Sequence, residues 1–374
     1  MSSFTDTFRL GFGLMRLPKL QNGEIDIPQV CEMADHFIKA GGTYFDTAYV
    51  YDGGKSEEAF RQAVSTRYPR EAYTIATKLL VNASGIHCAE DARQEFYTSL
   101  NRLGTAYIDY YLLHAIQRSN VLLYEQYGLW DFVRELKAKG LIRHWGFSFH
   151  ADSDLLEELL QKNPDAEFVQ LQINYADWEN PGVASRRNWE ICKAHGKPVV
   201  IMEPVKGGIL ADPIPEVKAI LTQQNPEASC ASWALRYAAS LDNLLTVLSG
   251  MSSLKQMDDN LKSIQKLPLT DAEMDTIRKA QIALNNDQSI ACTGCRYCTK
   301  GCPREIPIPD IFHVINHRKG SPEFRTLREY SIVTQDHGKA GDCIACGQCE
   351  AICPQHLPII DLLAQCRSSL EKQA

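Results

Sequence analysis

Residues 9–47, RLGFGLMRLPKLQNGEIDIPQVCEMADHFIKAGGTYFDT, contain the first unit of the pattern that decides the fold. Two short apolar runs, Arg9–Gly13 and Tyr44–Thr47, flank the amphipathic segment Ile27–Ala40. Apolar runs of this length, bounded by glycine and polar residues, indicate strands, and the segment between them has the apolar spacing of a helix packed on a sheet. The stretch therefore predicts one strand–helix–strand unit.

The same alternation continues to about residue 285. The further strand candidates are Tyr73–Lys78, Ile108–His114, His144–Phe149, Val169–Tyr175, Val199–Glu203 and Thr246–Gly250. Strands that alternate with helices form parallel sheets with crossover helices. Eight such units in this length predict an α/β fold of the closed (β/α)8 barrel type, a TIM barrel.

Three of the helices have clear sequence signals. Asp91–Leu103 and Leu122–Lys139 are amphipathic, and Gly140 follows the second as the expected residue after its C-cap. Thr270–Asn285 begins with its N-cap residue and has Glu273 three positions later. This spacing is typical of a capping box, so we expect a helix to begin there.

The main alternative is an open, doubly wound sheet that binds a dinucleotide where its strand order reverses. Such a sheet has a G-x-G-x-x-G turn directly after the first strand. Gly11–Gly13 lacks the third glycine, and the residues that follow, LMRLP, do not begin a helix. The barrel is therefore the favoured interpretation.

Composition narrows the class of protein. The chain has 374 residues, of which 44% are apolar and 23% charged, as in globular enzymes rather than disordered or fibrous chains. The net charge of −7 and the lack of any run of five basic residues argue against a nucleic-acid partner. The N-terminal MSSFTDTFRL has no apolar segment of the secretory type, and no apolar stretch approaches the length that spans a bilayer. We therefore expect a cytoplasmic protein without a membrane partner.

Eight of the thirteen cysteines lie in two runs near the C-terminus, and each run reads C-x2-C-x2-C-x3-C-P. This is the spacing of bacterial two-cluster ferredoxins, in which the fourth cysteine of a run binds the other 4Fe–4S cluster. The predicted ligands of the first cluster are Cys292, Cys295, Cys298 and Cys353, and those of the second are Cys343, Cys346, Cys349 and Cys302. Structural zinc is the alternative, but zinc does not require the doubled run.

The resemblance to a two-cluster bacterial ferredoxin covers about residues 288–360, with a spacer between the runs that is longer than in a minimal ferredoxin and has a helical pattern. We therefore predict two domains, a barrel of residues 1–286 and an iron–sulfur domain of residues 287–374. Cysteines crowded for metal binding also indicate a reducing compartment.

Four residues with acid–base potential follow three successive strands of the predicted barrel. Asp46 ends YFDTA, Tyr51 lies in the loop YVYDGGKSEE, Lys78 ends YTIATK and His114 ends IDYYLLH. Because the C-terminal ends of barrel strands form the active-site rim, we expect these four side chains to lie together.

The four residues suit the protonation of a carbonyl oxygen. A free phenol is too weak an acid at neutral pH, but a nearby ammonium lowers its pKa. Lys78 would supply that charge to Tyr51, and Asp46 would hold Lys78 in its charged form. His114 would donate a hydrogen bond to the carbonyl oxygen, and Tyr51 would protonate it.

The chain resembles the aldo-keto reductase superfamily over about residues 8–265, in LGFGLMRLP, GGTYFDTAYVYDGGKSEEAFRQAV, YTIATKL, SLNRLGTAYIDYYLLH, KAKGLIRHWGFSFH and SGMSSLKQMDDNL. The resemblance implies a (β/α)8 barrel, an extended nicotinamide dinucleotide and NAD(P)H-dependent carbonyl reduction. It assigns Asp46, Tyr51, Lys78 and His114 as the catalytic four. His114 favours an aldehyde or ketone, whereas a glutamate in its place would have suggested a conjugated double bond.

The resemblance also implies coenzyme contacts. Ser148 and Gln172 match positions that hold the nicotinamide carboxamide, and Met202 stands where many members stack an aromatic ring. Gln256 replaces an arginine that often binds the 2′-phosphate, although NADPH is still expected over NADH. The full candidate set is Ser148, Gln172, Met202, Pro204, Lys206, Gly208, Ser252, Lys255, Gln256 and Asn260.

The two predicted domains handle electrons differently. Hydride transfer moves two electrons together, whereas a 4Fe–4S cluster moves one. The leading hypothesis is a reductase whose chemistry runs in the barrel, with clusters that stabilise the domain, sense redox state or dock an electron-transfer partner. The alternatives are an electron-transfer subunit whose barrel only binds a partner, and a reaction assisted by a flavin or radical.

Overall fold

Within residues 8–81, 86, 88–285, 289–317 and 323–371, which the computed structural model describes, eight parallel strands close into a barrel. The strands are β1 (Leu10–Gly13), β2 (Tyr44–Asp46), β3 (Thr74–Leu79), β4 (Ile108–Ile116), β5 (Ile142–Phe149), β6 (Phe168–Gln172), β7 (Val199–Met202) and β8 (Leu244–Gly250). They follow one another in chain order, and β1 pairs with β8. The predicted (β/α)8 barrel is confirmed.

The helices of this part of the chain cover the outside of the sheet. They are α1 (Ile27–Lys39), α2 (Lys55–Phe60), α3 (Ala89–Leu103), α4 (Val121–Gln126), α5 (Leu129–Ala138), α6 (Ser153–Lys162), α7 (Ser185–Ala194), α8 (Pro215–Gln224), α9 (Cys230–Ala239), α10 (Leu254–Ile264) and α11 (Asp271–Asn285). Their apolar faces bury the outward side chains of the strands; Phe37 of α1, for example, packs with its ring centroid 5.2 Å from that of Phe45 on β2. The hydrophobic core therefore lies between sheet and helices.

Local sequence signals at two helix ends are confirmed. The hydroxyl of Thr270 accepts a hydrogen bond from the Glu273 amide at 3.3 Å, and the Glu273 carboxylate accepts one from the Thr270 amide at 2.9 Å. Gly140 adopts a positive φ of 71° just beyond the C-cap of α5.

Several element ends differ from the predicted ones by one or two residues, and two predicted elements differ more. Leu122–Lys139 was predicted as one helix, but it forms α4 and α5, because Gly128 between them takes a φ of 60° that ends a helix. β6 ends at Gln172 rather than three residues later, because the Asn174 side chain accepts a hydrogen bond from the Asp177 amide at 2.9 Å and turns the chain.

The alternation of side chains along the strands places the polar residues. On β2, Asp46 faces the barrel interior while Phe45 faces the helices. On β3, Lys78 faces inward and Thr77 outward. Successive side chains of a strand point to opposite faces, so only one of each adjacent pair can reach the barrel mouth.

The chain separates into two compact units, Met1–Val205 with Leu210–Ile282, and Lys206–Ile209 with Ala283–Ala374. The predicted boundary between residues 286 and 287 lies outside the described residues. No helix among the described residues is long and apolar enough to cross a bilayer.

The second unit is built from short helices around an apolar core. They are α12 (Ile308–His317), α13 (Glu323–Val333), α14 (Gln348–Ala351) and α15 (Ile359–Leu370). The first two lie in the spacer between the cysteine runs, as its helical pattern predicted, while residues 318–322 fall outside the described part. Ile311, Phe312 and Leu363 are buried in the core of this unit.

Candidate active site and iron–sulfur sites

A buried ion pair lies at the C-terminal ends of β2 and β3. Lys78 Nζ donates to Asp46 Oδ1 at 2.5 Å and to the Thr47 carbonyl oxygen at 2.6 Å. The side chain of Lys78 is fully enclosed, and Asp46 is 4% exposed. Asp46 pairs with Ala76, so Lys78 lies two residues farther along β3 and on the same inward face. These contacts fix both the position and the direction of the lysine ammonium.

Tyr51 lies over this ammonium. Lys78 Nζ is 5.2 Å from the centre of the Tyr51 ring. The loop that carries Tyr51 turns back sharply, since Asp52, Gly53 and Gly54 all have positive φ, at 51°, 67° and 94°. Glycine takes such angles without strain, which explains the GG pair in this loop.

His114 completes the group. Its ring centroid is 5.7 Å from that of Tyr51, with the planes at 76°. The pairing of β4 with β5 is irregular between Leu113 and Ile116, and Ala115 has a φ of 51°. Such bulges commonly redirect a side chain next to a functional site. The structure thus brings together all four residues that the sequence predicted as catalytic.

Burial sets the protonation of these groups. Burial raises the pKa of Asp46 and lowers that of Lys78, and the attraction between the two opposes both shifts. Burial, with the nearby charges of Lys78 and His150, keeps the pKa of His114 well below its ordinary value. The imidazole is therefore neutral at physiological pH, so it can donate one hydrogen bond and accept one.

The predicted carboxamide contacts lie at the ends of the next strands. Ser148 on β5 is buried, and its hydroxyl oxygen accepts from the Ala115 amide at 2.7 Å, which leaves its hydrogen to donate. Gln172 on β6 donates through Nε2 to Asp177 at 2.9 Å, so Oε1 is the atom that would accept from an amide. One donor and one acceptor on neighbouring strands fit the carboxamide of a nicotinamide.

The residues predicted for the adenosine end lie at the start of α10. Ser253 caps this helix by accepting from the Gln256 amide at 3.3 Å, and Gln256 in turn accepts from the Ser252 amide at 2.7 Å. Lys255 is exposed in the first turn. A capped helix start with a lysine is suited to a phosphate. Asn260 is buried, donates to Ser249 at 2.9 Å, and stays a prediction as a coenzyme contact.

The remaining coenzyme candidates follow β7. Met202 ends this strand opposite Gln172 and is partly buried against the apolar barrel interior. Pro204 is buried two residues later. Lys206 and Gly208 belong to the second compact unit, and their contact with a coenzyme phosphate stays a prediction.

The second unit contains two cavities, each lined by four cysteines. The first is lined by Cys292, Cys295, Cys298 and Cys353, and the second by Cys302, Cys343, Cys346 and Cys349. These are the two crossed sets that the spacing predicted. Apart from the cysteines, the linings are mainly apolar, with Phe312, Ile308 and Leu363 among them. Four thiols around an apolar cavity fit a 4Fe–4S cluster.

Sequence reasoning missed two residues that hold the predicted coenzyme contact Gln172 and the turn after it. Asp177 is 1% exposed, and its Oδ2 accepts from Gln172 at 2.9 Å and from Asn174 at 2.8 Å. Asn174 also donates to the Glu203 carbonyl oxygen at 3.1 Å. The available signal was the sequence N-x-x-D directly after a strand, which favours a turn closed by side chains.

Two family models match the chain. The one described as the aldo/keto reductase family matches residues 9–282, and the one described as a 4Fe–4S dicluster domain matches residues 291–357. The predicted resemblance and the predicted pair of clusters are thus both supported by independent comparisons.

Individual proteins match the barrel region at low identity. The uncharacterized oxidoreductase YqkF of Bacillus subtilis is 24% identical over 312 residues, which cover 74% of this chain and 94% of YqkF. The NADH-specific methylglyoxal reductase of Escherichia coli is 26% identical, covering 70% of this chain and 90% of its own.

Solved structures agree in fold. The aldo-keto reductase AKR11C1 from Bacillus halodurans, in its holo form, has a TM-score of 0.58 at 25% identity, covering 73% of this chain and 91% of its own. An aldo-keto reductase from Klebsiella pneumoniae in complex with NADPH has a TM-score of 0.58 at 21% identity, with the same coverage, and supports the fold alone.

Proposed function

Because the chain belongs to the aldo/keto reductase family and carries a 4Fe–4S dicluster domain, we propose that it reduces an aldehyde or ketone with NAD(P)H, or oxidises the corresponding alcohol. One observation carries this proposal: Asp46, Tyr51, Lys78 and His114 lie together at one end of the barrel, with the buried ammonium 5.2 Å from the Tyr51 ring.

The four side chains act on the carbonyl oxygen. When bound, the coenzyme supplies a hydride to the carbonyl carbon. Tyr51 donates its hydroxyl proton to the carbonyl oxygen, and the ammonium of Lys78 stabilises the phenolate that remains. Neutral His114 donates a hydrogen bond to the same oxygen and orients the carbonyl. Asp46 holds Lys78 in place and favours its charged form.

The coenzyme would lie across the same end of the barrel. Ser148 would donate to the carboxamide oxygen of the nicotinamide, and Gln172 would accept from its nitrogen. Met202 would pack against the nicotinamide ring, since a thioether contacts ring faces favourably. Ser252, Lys255 and the start of α10 would bind the phosphate groups at the adenosine end.

We propose NADPH as the preferred coenzyme. The two coenzymes differ by one phosphate, and Lys255 is exposed where that phosphate would lie. The Escherichia coli relative is named as NADH-specific, so the preference has to be measured in this chain. Lys255→Ala should raise KM for NADPH and leave KM for NADH unchanged; equal effects on both would contradict the assignment.

We propose that the clusters take no part in the hydride step, because hydride transfer moves two electrons and each cluster moves one. They would instead exchange electrons with a partner protein, sense redox state or stabilise the second unit. The cysteines suit a reducing compartment, so we expect the protein in the cytoplasm.

The decisive test is anaerobic oxidation of NADPH with a panel of aldehydes and ketones. Tyr51→Phe should lower kcat about 10²–10⁴-fold, the usual contribution of a general acid, and leave NADPH affinity unchanged. Tyr110→Phe is the matched control, because it removes one hydroxyl from a different inward residue of the barrel, on the strand of His114. Full activity of Tyr51→Phe would overturn the proposal.

The same assay separates the alternative function. If no carbonyl supports NADPH oxidation while both clusters reduce and reoxidise reversibly, the chain is an electron-transfer subunit with a binding barrel. Comparing holoprotein with protein whose clusters have been removed shows whether turnover depends on them. Tightly bound yellow pigment after removal would point to a flavin-assisted reaction.

A further inference from the structure

A second polar cluster lies behind the catalytic strand ends, on the outer face of β3. It consists of Glu57 on α2, Thr77 on β3, and Glu95 and Arg102 on α3. Glu57 is fully buried, and Glu95 is 3% exposed. Burying carboxyl groups between a helix layer and a sheet costs folding free energy, so a compensating role is expected. None of these residues belongs to the proposed catalytic four.

Arg102 connects this cluster to the loop that carries Tyr51. Its Nη1 lies 3.5 Å from Glu57 Oε2 and donates to the Tyr49 carbonyl oxygen at 3.3 Å. Its guanidinium also stacks 4.4 Å from the centre of the Tyr49 ring. On the other side of the loop it fills the space beside Gly54, where a Cβ would come within 2.6 Å of the guanidinium carbon. Arg102 therefore holds both ends of the Tyr49–Gly54 turn.

Glu57 connects the cluster to Lys78. Its Oε1 accepts a hydrogen bond from the Thr77 hydroxyl at 2.7 Å, and Thr77 directly precedes Lys78 on β3. Burial lowers the pKa of Lys78, while the charges of Asp46 and Glu57 oppose that shift. Burial raises the pKa of Glu57 itself, and its contacts with Thr77 and Arg102 favour the carboxylate.

We propose that Glu57 is a positioning residue for carbonyl reduction, which places the Tyr51 loop through Arg102 and stabilises the charged form of Lys78 through its own carboxylate. This inference rests on the proposed function. It extends the acid–base machinery from the rim to the layer between α2, α3 and β3.

The sign of the expected effect follows from the coupled titration of Tyr51 and Lys78. Reduction requires both to be protonated. The negative charge of Glu57 favours the fully protonated state of Tyr51 and Lys78. Removing it lowers the pKa at which the pair loses its first proton, whichever of the two residues loses it. The charged and titratable groups that surround the pair and Glu57 are Asp46 on β2, Glu95 and Arg102 on α3, His114 on β4 and His150 after β5.

Glu95 needs separate treatment. Burial, with the charge of Glu57, raises the pKa of Glu95 to about 8. Removing that charge would let Glu95 ionise at lower pH and partly restore a negative charge. The effect of Glu57→Gln is therefore measured twice, once in the native chain and once in a chain that also carries Glu95→Gln.

The test is the pH profile of kcat for NADPH-dependent carbonyl reduction. Glu57→Gln should move the alkaline limb to lower pH by about one unit, the low end of what one close charge does to a pKa. Thr77→Val, which removes a hydrogen bond to the carboxylate, should shift the limb in the same direction by less. KM for the carbonyl substrate should not change.

Glu273→Gln is the matched control, since it breaks a carboxylate–arginine pair of the same barrel, 2.6 Å from Arg236, and should leave the limb unmoved. An unmoved limb in both Glu57→Gln and Thr77→Val overturns the inference while the proposed function stands. If the native protein reduces no carbonyl, the proposed function fails, and NMR titration of carbon-labelled tyrosine still tests the inference. The Tyr51 signal, identified by its loss in Tyr51→Phe, should titrate at lower pH in Glu57→Gln.

Discussion

Replacing Lys78 with methionine should destabilise the barrel as well as inactivate it. The substitution keeps a long side chain but removes the ammonium that lies 2.5 Å from Asp46 Oδ1 and 2.6 Å from the Thr47 carbonyl oxygen. Asp46 would then be a buried carboxyl without its cation. Removing one partner of a buried ion pair costs about 3–5 kcal/mol of unfolding free energy.

The structure also predicts what a second substitution would recover. Burial raises the pKa of Asp46 and lowers that of Lys78, while their mutual attraction opposes both shifts. A buried ion pair often gives no more stability than two apolar residues of similar volume, because the cost of desolvation offsets the attraction. Asp46→Val with Lys78→Met should therefore fold to within about 1 kcal/mol of the native barrel, or more stably, and remain inactive.

The assay is anaerobic urea unfolding followed by tryptophan fluorescence. All five tryptophans lie between residues 130 and 233, so the signal reports on the barrel and not on the second unit. Carbonyl reduction is measured on the same samples. If Lys78→Met is as stable as the native protein, or if the double variant loses as much stability as the two single variants added together, the predicted coupling between Asp46 and Lys78 is refuted.

Three further outcomes are expected. Burial above all keeps the pKa of His114 well below 6.5, so below that pH the unfolded chain binds a proton that the folded chain does not. The free energy of unfolding should therefore fall by up to about 1.4 kcal/mol per pH unit below 6.5. His114→Gln should reduce this slope in the same unfolding assay. Asp177→Asn should reorient the Gln172 amide and weaken NADPH binding about tenfold, which corresponds to the loss of one hydrogen bond of about 1.4 kcal/mol. Calorimetry measures the affinity, and an unchanged value would contradict the role of Asp177. Cys353→Ala and Cys292→Ala should abolish the same cluster and leave matching electron paramagnetic resonance spectra, whereas different spectra would refute the crossed ligand sets.

The barrel was predictable because its signal is local and repeated. Each strand is a short apolar run between polar loops, and eight such runs alternate with amphipathic helices. The break at Gly128 was missed, because apolar residues continue with helical spacing on both sides of it. A positive φ leaves no trace in hydropathy, so only the glycine itself could have suggested two helices.

The site was predictable to the extent that its residues end consecutive strands. Asp46, Lys78 and His114 meet because the C-terminal ends of neighbouring parallel strands converge on one rim of the barrel. Glu57 and Asp177 could not be assigned, since their roles come from contacts with side chains on other elements. Glu57 is preceded by a serine and followed by another glutamate, a pattern that an exposed helix would share.

The crossed cysteine sets link the two predicted cluster sites through the chain. Each cysteine run lines one cavity with three thiols and the other cavity with its fourth, through Cys302 and Cys353. Loss of either cluster would therefore free a cysteine in the run that binds the other cluster, and this would loosen the chain around both sites. The remaining cluster keeps its own four thiols, so it should persist in Cys353→Ala and Cys292→Ala, although in a less tightly held chain.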